Sequence, residues 1–352
     1  MEGLKNKLKL YVFPGNIEED ILQIGIQQIP YMRTAQFSDL VKDSERMLLH
    51  LMGCSNGKVL FYTASGTGAM DAVVSNVVTM CQKAFVISGG AFGHRWVDLC
   101  DYYGCKNDVF EVPFACDIDY VALERALDES MPSIFLCQQH ETSTGQLFDL
   151  NRIGRMCRDR KIIFVVDAIS SFLSDSLDMN SMGIDICITS SQKGLNIPPG
   201  LSFVVLSERL LQSDFSHKSY YFDFHENLKN LERGQTPYSP ATILFLQLYK
   251  RLQRVFDRGT THLINEVRDK ALYFRELCAE NHWEVPAEVP SNCITGFFVH
   301  RNADILFTEL LKQNIYIMPG GTPHYFRVSH LGLQSKNDLR ELADRIKEIE
   351  NR

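Results

Sequence analysis

The alternation of short apolar runs with helix-like segments constrains the fold of this chain more than any other feature. Residues 59–63 and 84–88 are apolar runs of strand length, and helical spacing follows them at residues 66–80 and near residues 94–103. Such alternation is typical of a parallel sheet whose strands are joined by helical crossovers. The first two thirds of the chain are therefore predicted to form an α/β unit with a mostly parallel central sheet.

The same pattern continues toward the middle of the chain. Further strands are predicted at residues 133–137, 161–167, 185–189 and 201–206. Further helices are predicted near residues 151–160 and at residues 240–256. The run that ends at Asp167 is almost entirely apolar, which indicates a strand buried on both faces.

From near residue 259 the order of predicted helices and strands changes to one typical of a smaller α+β domain. After an opening helix, its predicted elements are a strand at 294–299, a helix near 304–313, strands at 315–318 and 325–329, and a closing helix. Ser335 and Asp338 have the spacing of a capping box at the start of that last helix. We therefore expect a large domain at residues 1–258 and a small one at residues 259–352, which a chain of this length can accommodate.

Composition excludes several classes of function. The chain has 352 residues and a formal charge of −7, so it lacks the basic character that nucleic acids or anionic membranes attract, and neither is an expected partner. Ten cysteines without a CxxC pair are typical of free thiols in a reducing compartment, and no metal site is predicted. Residues 1–10 have no apolar core of signal-peptide length. A cytoplasmic protein is expected.

Lys193 and Asp167 carry the main chemical signal. Asp167 ends one apolar strand, and Lys193 closely follows the next strand at 185–189. Separately, such residues are ordinary turn and surface charges. In open parallel sheets, however, ligands bind beyond the carboxyl ends of the strands, where these two side chains converge. An amine that holds an aldehyde and a carboxylate that keeps a ring nitrogen protonated are the groups that pyridoxal 5'-phosphate requires.

Three other loops at the same sheet edge have matching properties. Residues 64–68 join a strand to a helix, so the amides of Ser65, Gly66 and Thr67 can face an anion at a helix amino terminus. Phe92 offers an aromatic face for a flat ring, and Thr142 offers a hydroxyl to the cofactor's phenolic oxygen. Steric turns, core packing and loop capping are the alternative explanations.

The ordered set of these motifs resembles the class-V aminotransferases of pyridoxal-phosphate fold type I, a group that contains alanine:glyoxylate, serine:pyruvate and 2-aminoethylphosphonate:pyruvate transaminases. The matching stretches run in family order over nearly the whole chain: 13–15, 65–68, 90–93 with Arg95, 141–145, 167–171, 191–194 and 326–332. The resemblance implies a large domain with a mostly parallel sheet, a smaller carboxyl-terminal α+β domain, and bound pyridoxal 5'-phosphate.

The resemblance also implies residue roles. Lys193 would be the Schiff-base lysine, Asp167 the partner of the ring nitrogen and Phe92 the stacking residue. Phosphate contacts are implied for Ser65, Gly66, Thr67 and Gln192. Arg327 would bind the substrate carboxylate, for which a guanidinium is a bidentate match.

Family members are similar in being homodimers whose sites borrow a segment from the partner subunit. Residues 235–239 resemble that segment, so Thr236, Tyr238 or Ser239 would reach the phosphate of the neighbouring subunit. The family often has a proline where this chain has Asn16, and a His-Arg pair where it has Met32–Arg33. These differences leave the residues of the substrate-side wall of the pocket undetermined.

The predicted reaction is a two-stage transfer of an amino group from an alanine- or serine-type donor to pyruvate or glyoxylate. Five cationic side chains near the open wall keep aminoethylphosphonate or a phosphorylated amine as an alternative: Arg33, His94, Arg95, His324 and His330. A β-eliminating lyase is a second alternative, whereas a desulfurase is disfavoured because no cysteine follows Cys293. A fold relic without activity is disfavoured by the intact lysine, acid and cradle.

Overall fold

The structure is a computed structural model that describes residues 8–352. Residues 1–7, part of the segment predicted to lack a signal-peptide core, lie outside the described residues. The strands are β1 (Lys9–Leu10), β2 (Lys58–Tyr62), β3 (Ala84–Ser88), β4 (Asn107–Glu111), β5 (Ile134–Gln138), β6 (His140–Glu141), β7 (Gln146–Leu147), β8 (Ile163–Asp167), β9 (Ile186–Ser190), β10 (Ser202–Leu206), β11 (Ile294–Phe298), β12 (Ile315–Tyr316), β13 (Met318–Pro319) and β14 (Tyr325–Ser329).

Helices follow most of these strands. They are α1 (Glu19–Gln23), α2 (Ala35–Leu51), α3 (Gly66–Asn76), α4 (Ala91–Tyr102), α5 (Tyr120–Ser130), α6 (Leu150–Asp159), α7 (Met179–Met182), α8 (Phe224–Leu231), α9 (Thr242–Arg258), α10 (Thr260–Glu280), α11 (Ala303–Lys312) and α12 (Lys336–Glu350). Within residues 8–352, no helix combines the length and the apolar character needed to cross a bilayer.

A central sheet of seven strands organises the larger part of the molecule. Its order is β2-β10-β9-β8-β5-β3-β4, and only β10 runs antiparallel to its neighbours. The prediction of a mostly parallel central sheet is confirmed. Strands β8 and β9 are adjacent and parallel, with Asp167 opposite Ile188, so their carboxyl ends share one edge of the sheet.

Apolar clusters cover both faces of the sheet. Phe164 and Val166 of β8 belong to the cluster on one face, and Val165 belongs to the cluster on the other. Because side chains alternate along a strand, an unbroken apolar run is what a strand between two helical layers needs. Phe164 is fully buried, and its replacement by alanine would remove about 3–5 kcal/mol from the free energy of unfolding.

The carboxyl-terminal part builds a second, smaller sheet. Strands β11, β14 and β13 form an antiparallel sheet, whose core includes Phe274 and Ile346. Strand β1 pairs in parallel with β12, and the hydroxyl of Tyr11 donates to the carbonyl of Asp338 at 2.7 Å. Residues from the beginning of the chain thus share the core of the smaller sheet.

Two predicted features of the carboxyl-terminal part differ in their outcome. The capping box is present: Ser335 and Asp338 bond reciprocally at the start of α12. The single strand predicted at 315–318 is instead two short strands, because Ile315 pairs with Lys9 while Met318 pairs with Arg327. Residues 315–319 therefore pair with two different strands, β1 and β14.

Candidate active site

Lys193 lies in a buried setting beyond the end of β9. Its side chain is inside the protein, with Nζ 4.8 Å from the ring centre of Phe13 and 5.0 Å from that of Phe92. Nζ donates to the hydroxyl of Thr142 at 3.3 Å. Burial lowers the pKa of Lys193, although the negative groups nearby, including Asp167, oppose that shift. A lysine in such surroundings is more readily neutral, and a neutral amine can act as a nucleophile.

Asp167 is a buried acid at the end of β8. One carboxylate oxygen accepts a hydrogen bond of 2.8 Å from the backbone N–H of Ile169. Burial raises the pKa of Asp167 to about 6, against the opposing influence of that hydrogen bond and of Lys193. Desolvation outweighs the positive charges of Lys193 and Arg95 at this carboxylate, and a protonated ring nitrogen would supply a further positive partner.

The amino terminus of α3 forms the predicted anion cradle. Ser65 is the N-cap residue, and its side chain accepts no capping hydrogen bond. Amides in the first turn of a helix have no intrahelical acceptor, so they remain available to an anion. The backbone at Gly66 is closely packed, because a Cβ atom there would lie 2.5 Å from Cδ1 of Ile169.

Arg95 brings a positive charge to this cradle. Its Nη1 atom donates to the hydroxyl of Thr67 at 3.1 Å, and its guanidinium lies 4.9 Å from the centre of the Phe92 ring. The sequence placed Arg95 among candidates for the substrate wall. The structure puts it beside Thr67, where its charge favours an anion at the helix terminus.

Glu141 is a site residue whose role the sequence did not indicate. Its buried carboxylate accepts hydrogen bonds from the backbone N–H groups of Phe92 (3.3 Å) and Gly93 (2.9 Å). It also accepts one from the side-chain amide of Gln138 at 2.9 Å. Glu141 thereby fixes the first turn of α4, which carries Phe92. A glutamate at the start of a hydroxyl-rich loop was the available signal.

Thr142 connects three parts of the site. Its hydroxyl accepts from Lys193 and donates to the hydroxyl of Ser170 at 2.8 Å. Its carbonyl accepts from Nη1 of Arg327 at 2.8 Å. A threonine hydroxyl carries one proton, and here that proton points to Ser170 rather than into the site.

Arg327 projects from the middle strand of the smaller sheet. Its Nη2 atom donates to the carbonyl of Pro319 at 2.9 Å, and its Nε atom is buried without a partner among residues 8–352. Burial lowers the pKa of this guanidinium below its usual value. The two carbonyl contacts hold its plane in one orientation and leave its charge without a carboxylate within the described chain.

The remaining predicted cofactor contacts lie in two places. Gln192 precedes Lys193, and its Oε1 atom is buried without a partner in the part of the chain that is described. Thr236 and Tyr238 lie in a different segment: the hydroxyl of Thr236 donates to the carbonyl of Tyr238 at 2.7 Å, and Tyr238 stacks on Tyr221. The hydroxyl of Tyr238 donates to the carbonyl of Tyr220 at 3.1 Å, and the carbonyl of Thr236 accepts from Nη1 of Arg33 at 2.9 Å.

The other basic side chains predicted for the substrate wall make contacts elsewhere in the chain or are exposed. His330 is buried, its Nε2 atom lies 2.8 Å from the hydroxyl of Thr295, and burial holds its pKa well below the usual value. Nη1 of Arg33 donates to the side-chain oxygen of Gln235 at 3.0 Å. His94 pairs with Asp98 at the surface, and His324 is exposed.

A family model named "Aminotransferase class-V" matches residues 29–219, which is more than half of the chain. The chain belongs to the class-V aminotransferase family. It is 28% identical to the small subunit of a soluble hydrogenase of Synechococcus sp., covering 92% of this chain and 87% of that protein. It is 27% identical to a serine–glyoxylate aminotransferase of Hyphomicrobium methylovorum, with shares of 91% and 84%.

A solved structure shows the same fold. The alanine–glyoxylate aminotransferase of Nostoc sp. superposes with a TM-score of 0.92 at 22% identity, covering 99% of this chain and 97% of that one. Aminotransferases of this class depend on pyridoxal 5'-phosphate, and so does this enzyme. The large α/β unit with a smaller carboxyl-terminal sheet domain, expected from the motifs, is confirmed as the aminotransferase architecture.

The residues of this aminotransferase fit the cofactor. The site offers a buried amine, a buried acid whose pKa is raised by desolvation, a helix amino terminus with a cation beside it, and an aromatic ring. Gln192 adds a side-chain amide whose N–H groups are donors of the kind a phosphate oxygen accepts.

Proposed function

We propose that this aminotransferase moves an amino group between a small amino acid of the alanine or serine type and a small 2-oxo acid, either pyruvate or glyoxylate. The observation that carries the proposal is the placement of Lys193 and Asp167 in one buried edge of the sheet, with Arg327 linked to that edge through Thr142. The serine–glyoxylate relative supports this substrate class. The relative named as a hydrogenase subunit does not guide the proposal, because Lys193, Asp167 and Arg327 are groups suited to amino transfer.

The cofactor supplies an aldehyde that takes up the amino group and a ring that withdraws electrons. Lys193 holds the cofactor and, once freed, moves a proton to and from the substrate carbon, for which a neutral amine is required. Asp167 keeps the ring nitrogen protonated. Phe92 stacks on the ring. The hydroxyl of Thr142 lies beside Lys193, and in the loaded enzyme it would donate to the phenolic oxygen only by turning its proton away from Ser170.

The phosphate end of the cofactor has its own group of residues in this proposal. Ser65, Gly66 and Thr67 bind it through the amides of the α3 terminus, and Gln192 contributes its side-chain amide. Arg95 reinforces the charge there. Because these contacts bear on the phosphate and not on the reacting carbon, they determine affinity for the cofactor rather than the rate of chemistry.

Arg327 binds the substrate carboxylate. Its orientation is fixed by two carbonyl oxygens, and its charge is available in a site that excludes much of the water. The negative charge of a carboxylate bound there would offset the desolvation that lowers the pKa of the guanidinium. One carboxylate anchor suits small amino acids and oxo acids, so selectivity among them must come from the opposite wall.

A homodimer completes the site in this proposal. Tyr238 of the segment at 235–239 forms an aromatic patch with Tyr220 and Tyr221, and Tyr220 is 85% exposed. Exposed apolar patches mark interaction surfaces, and this one would place Thr236 and Tyr238 at the phosphate of a partner subunit. A domain boundary near residue 258 and a cytoplasmic location, which ten free cysteines support, belong to the same proposal.

The direct test starts from protein loaded with the amine form of the cofactor. Pyruvate, glyoxylate and phosphonoacetaldehyde are added separately, and return of the aldehyde absorbance is followed. Rapid return with pyruvate or glyoxylate is expected. If the aldehyde absorbance returned only with phosphonoacetaldehyde, the substrate would be an aminophosphonate instead of a small amino acid. If an oxo acid formed from serine without an amino acceptor, the enzyme would be a lyase.

A further inference from the structure

A chain of four buried groups leads from the amine of Lys193 into the protein. Nζ of Lys193 is 3.3 Å from the hydroxyl oxygen of Thr142, which is 2.8 Å from that of Ser170. The Ser170 oxygen is in turn 2.9 Å from Nδ1 of His140. All four residues are at most 7% exposed, so bulk water does not compete for these hydrogen bonds.

The far end of this chain is neutral. Burial, together with the positive charges of Lys193 and Arg327, holds the pKa of His140 well below its usual value. A neutral imidazole has one nitrogen that donates and one that accepts. The Ser170 proton therefore has two alternative acceptors on the same residue, Nδ1 at 2.9 Å and the backbone carbonyl at 3.3 Å.

The Ser170 oxygen stays an acceptor for Thr142 in both tautomers of His140. If Nδ1 of His140 carries no proton, the Ser170 hydroxyl donates a hydrogen bond to Nδ1. If Nδ1 carries a proton, the Ser170 oxygen accepts a hydrogen bond from it, and the Ser170 hydroxyl donates to the His140 carbonyl. In either case the proton of Thr142 remains directed at Ser170. The oxygen of Thr142 consequently meets Lys193 as an acceptor.

We propose that Ser170 and His140 are positioning residues that hold the Thr142 hydroxyl with its oxygen toward Lys193. The proposal rests on the proposed role of Lys193. An oxygen that only accepts stabilises the charged ammonium more than the neutral amine, because the ammonium is the stronger donor, and it aims Nζ along one direction. Without Ser170, the Thr142 hydroxyl could instead donate to the neutral amine, which stabilises the neutral form and lowers the pKa of Lys193.

The test measures the pKa of Lys193 in the cofactor-free protein. Trace labelling with acetic anhydride across a pH series, read by mass spectrometry of the peptide that contains Lys193, reports that pKa without any turnover. Ser170→Ala is expected to lower it by about one unit. Ser171→Ala is the matched control, because the neighbouring hydroxyl is also buried and has no partner among residues 8–352.

Two further variants identify the route. His140→Leu leaves the backbone carbonyl in place, so a smaller shift in the same direction is expected. In a Thr142→Val background, Ser170→Ala should have no further effect, as in a double-mutant cycle. Equal pKa values in the Ser170 and Ser171 variants, or a shift that persists without the Thr142 hydroxyl, would overturn the proposal. A failure of cofactor uptake in wild-type protein would instead count against the proposed function.

Discussion

Arg327 donates a 2.8 Å hydrogen bond to the backbone carbonyl of Thr142, whose hydroxyl accepts from the amine of Lys193. A strand of the smaller sheet and a loop of the central sheet therefore meet at one residue. In the proposed enzyme, this contact sets the distance between the carboxylate anchor and the reacting amine. Movement of the smaller sheet would move that anchor relative to Lys193.

Arg327→Lys is expected to lower kcat/KM for alanine about 10- to 100-fold, mainly through KM, because an ammonium cannot hold two carbonyls and a bidentate carboxylate. Steady-state kinetics with alanine and pyruvate would measure it. Arg340→Lys is the control, since that arginine pairs with Glu280 at the surface. An unchanged KM in the Arg327 variant would contradict the assignment.

Lys193→Ala is expected to remove the cofactor's protein-bound absorbance band and to lower turnover at least about 10³-fold, because both the covalent anchor and the proton carrier are lost. Absorbance spectra and a coupled assay for pyruvate would show both effects. Lys229→Ala, at an exposed lysine beside Glu226, should retain both. Retained turnover in the Lys193 variant would rule out its proposed role.

Asp167→Asn is expected to stabilise the cofactor-free protein in a pH-dependent way. Burial raises the pKa of Asp167 to about 6 in the folded protein, against about 3.9 in an unfolded chain. Ionisation therefore opposes folding: the penalty is absent below about pH 4, grows between pH 4 and 6, and is complete above that. The expected gain in the free energy of unfolding is up to about 3 kcal/mol at pH 7.5.

Urea denaturation of the cofactor-free Asp167 variant and wild type at pH 7.5 and near pH 4 would test this. Asp98→Asn, at an exposed acid, should change stability little at either pH. The same Asp167 substitution should weaken cofactor function, so stability and activity would move in opposite directions. An equal gain at both pH values would show that ionisation is not the cause.

Gly66→Ala is expected to weaken cofactor binding about tenfold, which corresponds to about 1.4 kcal/mol. The new Cβ would lie 2.5 Å from Cδ1 of Ile169, and the cradle would have to shift. Equilibrium titration with pyridoxal 5'-phosphate measures the affinity. Ile169→Val in the same chain should restore part of it by removing that methyl group. Gly25→Ala, where a Cβ meets only ordinary contacts, serves as the control.

Mixed dimers test whether residues 235–239 act across subunits. Lys193→Ala and the pair Thr236→Val with Tyr238→Phe are each expected to reduce activity in homodimers. After the two variants are mixed and allowed to exchange subunits, one site in each hybrid has both a wild-type lysine and a wild-type segment. Recovered activity is expected. Absence of recovery, with hybrids shown by native mass spectrometry, would place the segment in its own subunit's site.

The sequence predicted six of the seven strands of the central sheet, because burial on both faces produces apolar runs that few other structures require. It missed the edge strand β4, whose residues are half-buried or exposed. It could not predict the order of the strands, because the place of β10 between β2 and β9 depends on pairings between distant residues. Helices such as α2 and α5 were not predicted. The pairing of Lys9 with Ile315 was also inaccessible, since two-residue strands have no periodicity.

For the site, the sequence predicted residues whose chemistry is unusual, such as a lysine and an acid at adjacent strand ends. It did not predict Glu141 as the anchor of α4, or Ser170 and His140 as partners of Thr142. Their roles depend on hydrogen bonds between loops, and serine or glutamate in a loop has many ordinary explanations. The roles of the predicted contact residues remain predictions for the experiments above.

The pairing of Lys9–Leu10 with Ile315–Tyr316 also bears on how the chain acquires its shape during synthesis. A ribosome releases the first partner long before the second exists, so this two-stranded pairing can form only when translation is nearly finished. A fragment produced from residue 259 onward would lack both that strand and the Tyr11 side chain. Such a piece would emerge with part of its apolar interior open to solvent.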